Sequence, residues 1–310
     1  MKTAFIFPGQ GSQYVGMGKE LYNNFSAARQ VFEQADEVLG FDLKKLCFEG
    51  PEEELKLTSN TQPAILTVSA ACREVLREHG ITPDAAAGHS LGEYSALVAA
   101  EALAFPDAVQ LVRKRGLFMQ ACSSDAGMAA VLGLDTDNVR KACQQASLEG
   151  VVEAANYNCP GQIVIAGETQ ALNKAMELCL EYGAKRVVPL QVSGPFHSSL
   201  MQEAAERLAV ELEKVTFNDP VCPLISNVTA KTAGSAAEVR RLLTRQVSSP
   251  VRWEECARQL VEIGTEVFIE TGPGKVLSGL GKKIVRGKIF LNVEDVTSLE
   301  KTLDNLKEVI

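Results

Sequence analysis

A serine and a histidine are the two residues of this chain whose types and settings suit covalent catalysis. Ser90 stands in Gly88-His89-Ser90-Leu91-Gly92, a G-x-S-x-G pentapeptide. A short apolar run, Asp84 to Ala87, leads in, and an Ala/Leu-rich run, Tyr94 to Ala104, leads out. That context predicts strand, sharp turn, helix. Such a turn lifts a serine hydroxyl above a sheet edge and aims backbone N–H groups beside it. Glycine suits both flanks, because the turn strains φ and ψ and a residue without Cβ lets strand and helix approach. Five residues alone arise by chance; the strand–turn–helix setting is what gives the pentapeptide weight.

A nucleophilic serine needs a base. The histidines are His79, His89 and His197. His79 falls at a predicted helix end, where a cation favours the dipole and a structural role suffices. His89 adjoins the serine, so a sharp turn sends its side chain away from the hydroxyl. His197 lies in Ser193-Gly194-Pro195-Phe196-His197-Ser198, where Gly-Pro excludes helix and strand. A lone histidine is more often structural than catalytic. Of the three, His197 is the better base.

Arg115 is the third residue that draws attention. Pro106-Asp107 opens a predicted helix to about Gln120, with Ala108, Leu111, Val112, Phe118 and Met119 on one face. Arg113 and Lys114 fall on the other side, but Arg115 lands inside the apolar arc. A buried guanidinium stays charged and must be paired. Its partner is either a protein carboxylate, the commoner case, or a carboxylate on a substrate, held bidentately for about 1.5–3 kcal/mol net.

The elements that must position these groups follow from pattern and punctuation. Thr3 to Phe7 reads as a buried first strand running into Pro8-Gly9-Gln10-Gly11-Ser12-Gln13. That loop matches neither G-x-G-x-x-G nor the Walker pattern, which disfavours a nucleotide site. It is either a plain strand-to-helix connection or a loop whose N–H groups face an anion. Residues 19–47 and 52–80 read as helices and connectors, with a helix starting at Thr61-Gln62-Pro63 and Pro63 near its first position. Between residues 127 and 192 the order becomes β-α-β-β-α-β, the ferredoxin-like pattern, with Asp135 capping its first helix. An amphipathic helix is expected from Leu200 to Val215, a strand over Val221–Asn227, helices over Arg240–Gln246 and Arg252–Ile263, and a strand over Val267–Glu270. The whole is expected to be α/β. A large α/β-hydrolase-like domain (1–126 and 193–310) has a mostly parallel sheet with helices on both faces. A small ferredoxin-like α+β domain (127–192) is inserted in it.

Bulk properties remove several classes. The chain has 310 residues, 46% apolar and 23% charged, enough for a sizeable core. Its net charge of −8 argues against a general nucleic-acid surface. Eight scattered cysteines without C-x-x-C spacing point to reduced, mostly buried thiols and a cytoplasmic protein. With three histidines and no H-E-x-x-H, no catalytic metal is expected. No apolar run reaches membrane length, and Ala4-Phe5-Ile6-Phe7 is too short for a secretory core. Lys282, Lys283, Arg286 and Lys288 form the densest basic cluster, which reads first as a solvated face.

Taken in order, the loop Pro8 to Gln13, the run Gly88 to Glu93, Arg115-Gly116 and Gly194-Pro195-Phe196-His197 resemble the bacterial malonyl-CoA:acyl carrier protein transacylases. That family extends to the acyltransferase domains of fatty-acid and polyketide synthases. Asn156-x-Asn158-x-Pro160-Gly161-Gln162 and Gly272-Pro273-Gly274 fit as well, and the match spans nearly the whole chain. A start at the first strand favours the free-standing enzyme. The resemblance implies Ser90 as nucleophile and His197 as base, oriented by a backbone carbonyl at Gln246. It implies an oxyanion hole from the N–H groups of Leu91 and Gln10, and Arg115 holding the malonyl carboxylate. Gln62 and Asn156 match pocket-lining positions, Phe196 matches the malonyl-selecting form, and Lys185 and Arg186 match residues near the CoA phosphates. It implies malonyl-CoA and acyl carrier protein as partners, no cofactor, and malonyl transfer for fatty acid biosynthesis. A monomer is the expectation. The rivals are a polyketide-type acyltransferase, a non-catalytic interaction module and a serine esterase or thioesterase of α/β-hydrolase type. The last predicts an acid between serine and a late histidine, and an HGGG loop, which the sequence lacks.

Overall fold

The computed structural model describes residues 1–122, 125–192 and 194–309. Ser193, at the expected domain boundary and the start of the histidine loop, lies outside the described residues. The strands are β1 (Lys2–Phe7), β2 (Ala85–Gly88), β3 (Ala126–Leu132), β4 (Val152–Cys159), β5 (Gln162–Glu168), β6 (Arg186–Pro189), β7 (Leu224–Ile225), β8 (Thr232–Ala233), β9 (Thr265–Thr271) and β10 (Ile289–Val293).

Six strands form one sheet in the order β10-β9-β1-β2-β7-β8. All its pairings are parallel except β7 with β8. A parallel sheet must be covered on both faces, and the alternation of β1 shows how this is met. Phe5 and Phe7 join one apolar cluster with Ala64, Val68 and Leu97, on the helices Thr58–Glu78 and Gly92–Ala99. Ala4 and Ile6 join another with Trp253, Leu260 and Leu280, on the helices Trp253–Glu262 and Val276–Ile284. Helices therefore pack on both faces, and the carboxyl ends of β1 and β2 lie side by side.

The second sheet, β4-β5-β3-β6, is antiparallel throughout. With the helices Thr136–Ala146 and Thr169–Glu181 between its strands it has β-α-β-β-α-β order. Its apolar cluster is separate from the two that flank the large sheet. Asp135 caps the first helix, its side chain accepting from the Asn138 N–H. The first strand begins at Ala126, one residue earlier than the expected boundary.

Several expected bounds differ. The helix expected to begin at Thr61 begins at Thr58 and carries Pro63 inside it. Proline has no N–H for the carbonyl four residues back. That carbonyl, Ser59 O, accepts instead from Arg113 Nη1 at 2.7 Å, which satisfies the group the proline abandons. The strand expected over Val221–Asn227 shrinks to β7, with β8 as an unforeseen hairpin partner. Helix Gln202–Leu212, preceded by a 3₁₀ turn over Ser199–Met201, is shorter than the amphipathic run. The strand β10 and the helix Val296–Val309 were not anticipated. Among the described residues, no helix is long and apolar enough to cross a membrane.

Candidate active site

The site is built on the turn that follows β2. Ser90 has φ 52°, in the left-handed region, so the turn is strained where the serine sits. The flanking glycines are required sterically. A Cβ on Gly88 would lie 1.9 Å from the Gly92 carbonyl, and one on Gly92 would lie 2.1 Å from Phe7 O. Three N–H groups close the turn: His89 to Phe7 O, Gly92 to His89 O and Glu93 to Ser90 O. The N–H of Ser90 itself donates to Asn227 Oδ1 at 2.7 Å, while Asn227 Nδ2 donates to Gly88 O at 2.7 Å. The N–H groups of Leu91 and Gln10 take no part in this bonding.

His197 comes from the loop before the 3₁₀ turn, with φ 62° and 3% exposure. Its Nε2 lies 2.6 Å from Ser90 Oγ, and its Nδ1 lies 3.0 Å from Gln246 O. A carbonyl only accepts, so Nδ1 carries the proton and Nε2 is left to accept from the serine hydroxyl. An α/β-hydrolase triad would put a carboxylate at Nδ1; here a backbone carbonyl stands there. Burial, and secondarily the Arg115 charge, push the His197 pKa down to about 3, so the imidazole is neutral at physiological pH. His89 bonds elsewhere: its Nε2 lies 2.8 Å from Asn158 Oδ1, while the Ser90 hydroxyl is met by His197.

Arg115, 1% exposed, reaches into the same space. It donates to Gln62 Oε1 at 2.8 Å, to Ser90 Oγ at 3.1 Å and to Gln246 Oε1 at 3.0 Å. All three acceptors are neutral, and Arg115 Nε is buried without a partner. Among the described residues no carboxylate comes within 4.0 Å of this guanidinium. The commoner expectation, an internal salt bridge, is therefore not what the fold supplies.

Gln10, His89, Ser90, Leu91, Arg115, Met119, Met128, Asn156, Leu190, Val192, Phe196 and His197 line one cavity of about 100 Å³, room for a short acyl group. Asn156 Oδ1 is buried without a partner at its wall. Of the expected residues, Gln62 and Gln246 join through Arg115 rather than through the lining. Lys185 and Arg186 are exposed and outside the lining. Arg186 opens β6 and Leu190, just after it, reaches the cavity, so the two are about 13 Å apart along the strand. Larger surface hollows, among them one beside Arg77 and one beside Arg113, gather neither a serine–histidine pair nor an unpaired buried cation. Among the described residues, no group of three or more His, Cys, Asp or Glu side chains is arranged to hold a metal.

Asn227, Glu93 and the Gln246 side chain were missed as parts of this network. A signal existed for Glu93. Every residue of the helix Gly92–Ala99 is buried, so a carboxylate there must have partners. Asn227 follows the buried β7 at the carboxyl end of the sheet, where polar side chains in such folds serve sites.

A serine above a parallel sheet, a neutral imidazole on its hydroxyl and a buried cation in the acyl pocket define an acyl-transfer enzyme. Comparison with known proteins agrees. Residues 4–305 match the family model described as acyl transferase domain. A malonyl CoA-acyl carrier protein transacylase of Bacillus subtilis (strain 168) is 51% identical over 310 residues, covering 99% of this chain and 98% of the relative. The crystal structure of a protein of that name from Clostridium perfringens superposes with TM-score 0.97 at 46% identity, covering 100% of this chain and 98% of the other. A malonyl-transacylase solved in complex with its type II polyketide acyl-carrier protein gives TM-score 0.96 at 44% identity, covering 98% and 100%. This chain belongs to the acyl transferase domain family.

Proposed function

We propose that this enzyme transfers the malonyl group from malonyl-CoA to the phosphopantetheine thiol of acyl carrier protein, in fatty acid biosynthesis, through an ester on Ser90. The observation that carries the reading is the pairing of Ser90 and His197 at 2.6 Å beside a buried guanidinium that, among the described residues, has no carboxylate within 4.0 Å. Near-full-length likeness to relatives named for that transfer supports it.

In this reading Ser90 Oγ attacks the thioester carbonyl while its proton passes to His197 Nε2. Gln246 O holds Nδ1–H and stabilises the imidazolium that forms. The N–H groups of Gln10 and Leu91 receive the oxyanion; losing one such donor typically costs about 2.7–4 kcal/mol. The tetrahedral intermediate expels the CoA thiolate, which takes the proton from His197. The carrier's thiol then attacks the ester by the reverse steps, leaving Ser90 free. Arg115 clamps the distal carboxylate bidentately, with Gln62 and Gln246 steadying it and Phe196 closing the pocket. The four-stranded layer, residues 127–192, serves as a small domain covering the cleft. Lys185 and Arg186 meet the CoA phosphates at its outer end. Six of the eight cysteines are buried and all are unpaired, which fits work in the cytoplasm.

The deciding experiment is the intact mass after incubation with malonyl-CoA alone. One added malonyl group, mapped to the Ser90 peptide and absent in Ser90→Ala, is the expected result. An unchanged mass, or label elsewhere, would reject the reading.

A further inference from the structure

Glu93 is a buried carboxylate that the proposed reaction leaves without a task. It is 2% exposed and follows the serine turn directly. Its Oε2 accepts from the Asn227 N–H at 3.1 Å and from Gln246 Nε2 at 2.7 Å. Gln246 is where the site's contacts converge. Its backbone oxygen faces His197 Nδ1, its Nε2 also donates to Ser90 O at 2.9 Å, and its Oε1 accepts from Arg115. A primary amide has one accepting and one donating end. Arg115 can only donate and an ionised Glu93 can only accept, so the two charges fix the amide one way round. With the ends exchanged, N–H would face guanidinium and oxygen would face carboxylate, both repulsive in a buried site.

We propose that Glu93 is a positioning residue for acyl selection. It locks the Gln246 amide, and through it the Arg115 guanidinium, in the orientation that receives an acyl group bearing a carboxylate. The inference rests on reading Arg115 as the malonyl clamp.

The lock is conditional on charge. Burial raises the Glu93 pKa to about 7 against the lowering effects of Gln246, Asn227, Ser226 and Arg115. A protonated Glu93 can donate its own O–H to the Gln246 oxygen, which frees the amide to turn. The other titratable groups facing Glu93 are Tyr94 and Cys256, both shifted upward. His197 and His89 in the same site are shifted downward. A transition near neutrality is therefore assigned to Glu93, with the lock closed above about pH 7 and open below it.

The test is the ratio of kcat/KM for malonyl-CoA to that for acetyl-CoA across roughly pH 6 to 8, a window that spans this transition. In the unmodified enzyme the ratio should rise by about tenfold through neutrality. In Glu93→Gln, a neutral isostere of the protonated acid whose N–H can likewise donate to the Gln246 oxygen, it should stay at the low-pH value and lose its pH dependence. The new side chain's oxygen can still accept from the Asn227 N–H, so the packing is kept while the charge that fixes the Gln246 amide is removed. In Glu93→Leu it should fall to the low-pH value or below. A ratio that is flat with pH in the unmodified enzyme, or undiminished in Glu93→Leu, overturns the inference. Should the leucine variant not fold, the unmodified and glutamine profiles decide alone. Absence of any malonyl ester on Ser90 would instead strike the reaction itself; an ester with a selectivity indifferent to Glu93 strikes this inference only.

Discussion

Arg115 Nη2 lies 3.1 Å from Ser90 Oγ, so the cation and the hydroxyl share one corner of the cavity. The side chain comes from the middle of the helix Phe105–Ala121, on the buried side of that helix with Leu111, Val112 and Met119. In the proposed reading, that position makes the charge of the acyl group the property that the site reads.

Arg115→Ala should therefore lower kcat/KM for malonyl-CoA by roughly 10- to 150-fold, the equivalent of about 1.5–3 kcal/mol for a lost charge-assisted pair. Transfer of acetyl groups should be spared or improved, because no buried cation is then left unpaired beside an apolar acyl chain. Steady-state kinetics with both thioesters checks this. Equal losses would reduce Arg115 to a packing role.

The low pKa of His197 has a kinetic consequence. An ordinary imidazole, with a pKa near 6.5, would give acylation an acid limb there. Burial and Arg115 move it to about 3, so the neutral base persists well into the acid range. Single-turnover acylation of Ser90 by an uncharged acyl thioester, which leaves the malonyl contact out of the measurement, should show no limb near pH 6.5. In Arg115→Ala the limb should move upward, since the like charge is gone. Stability follows with a definite sign. Between about pH 6.5 and 3 the unfolded chain binds a proton at this residue and the native one does not. This contribution to stability is present above about 6.5 and is lost as pH falls toward 3. Urea titrations across that range check it.

How much of this could be read in advance depends on the reach of the interaction. Ser90 was legible because the local strand–turn–helix pattern and two glycines encode the turn. Arg115 was legible because helical periodicity alone places it on the apolar arc. His197 followed by elimination. The residues that escaped are tied into the site by contacts remote in sequence. Asn227 bonds to a serine 137 positions away, and Gln246 Nε2 reaches Glu93 across 153. No periodicity reports such pairs. The helix start at Thr58 failed for the same reason, since the carbonyl left by Pro63 is satisfied by Arg113, 54 positions from Ser59. The strand β10 was hidden behind the basic run that precedes it.

Asn227→Ala should uncouple the turn. Asn227 is fully buried and holds both Ser90 N–H and Gly88 O. Its loss strands two buried backbone groups, at about 1–3 kcal/mol each. Thermal unfolding should shift down by several degrees, and acylation should slow by at least about tenfold because Oγ is no longer held on line. Asn227→Asp is the sharper variant. It can still accept from Ser90, but it sets a second oxygen against the Gly88 carbonyl and a second carboxylate near Glu93. If it matches the unmodified enzyme in stability and rate, the amide's donor end has no role.

The carrier half-reaction permits a separate question. Lys282 and Lys283 are exposed in the last turn of the helix Val276–Ile284. The charge of Lys283 is felt at Cys159, next to the Asn158 that bonds His89 beside Ser90. An acidic carrier protein bringing its thiol to Ser90 would thus meet positive charge on this side. Reversing both lysines to glutamate should raise the carrier KM several-fold, at about 0.2–1 kcal/mol per exposed contact. Formation of the malonyl ester from malonyl-CoA should be untouched, because that half-reaction precedes carrier binding. The effect should shrink with added salt as the charges are screened. A carrier KM indifferent to the reversal would place the docking face on another side of the cleft, and a slowed ester formation would mean that the lysines serve CoA instead.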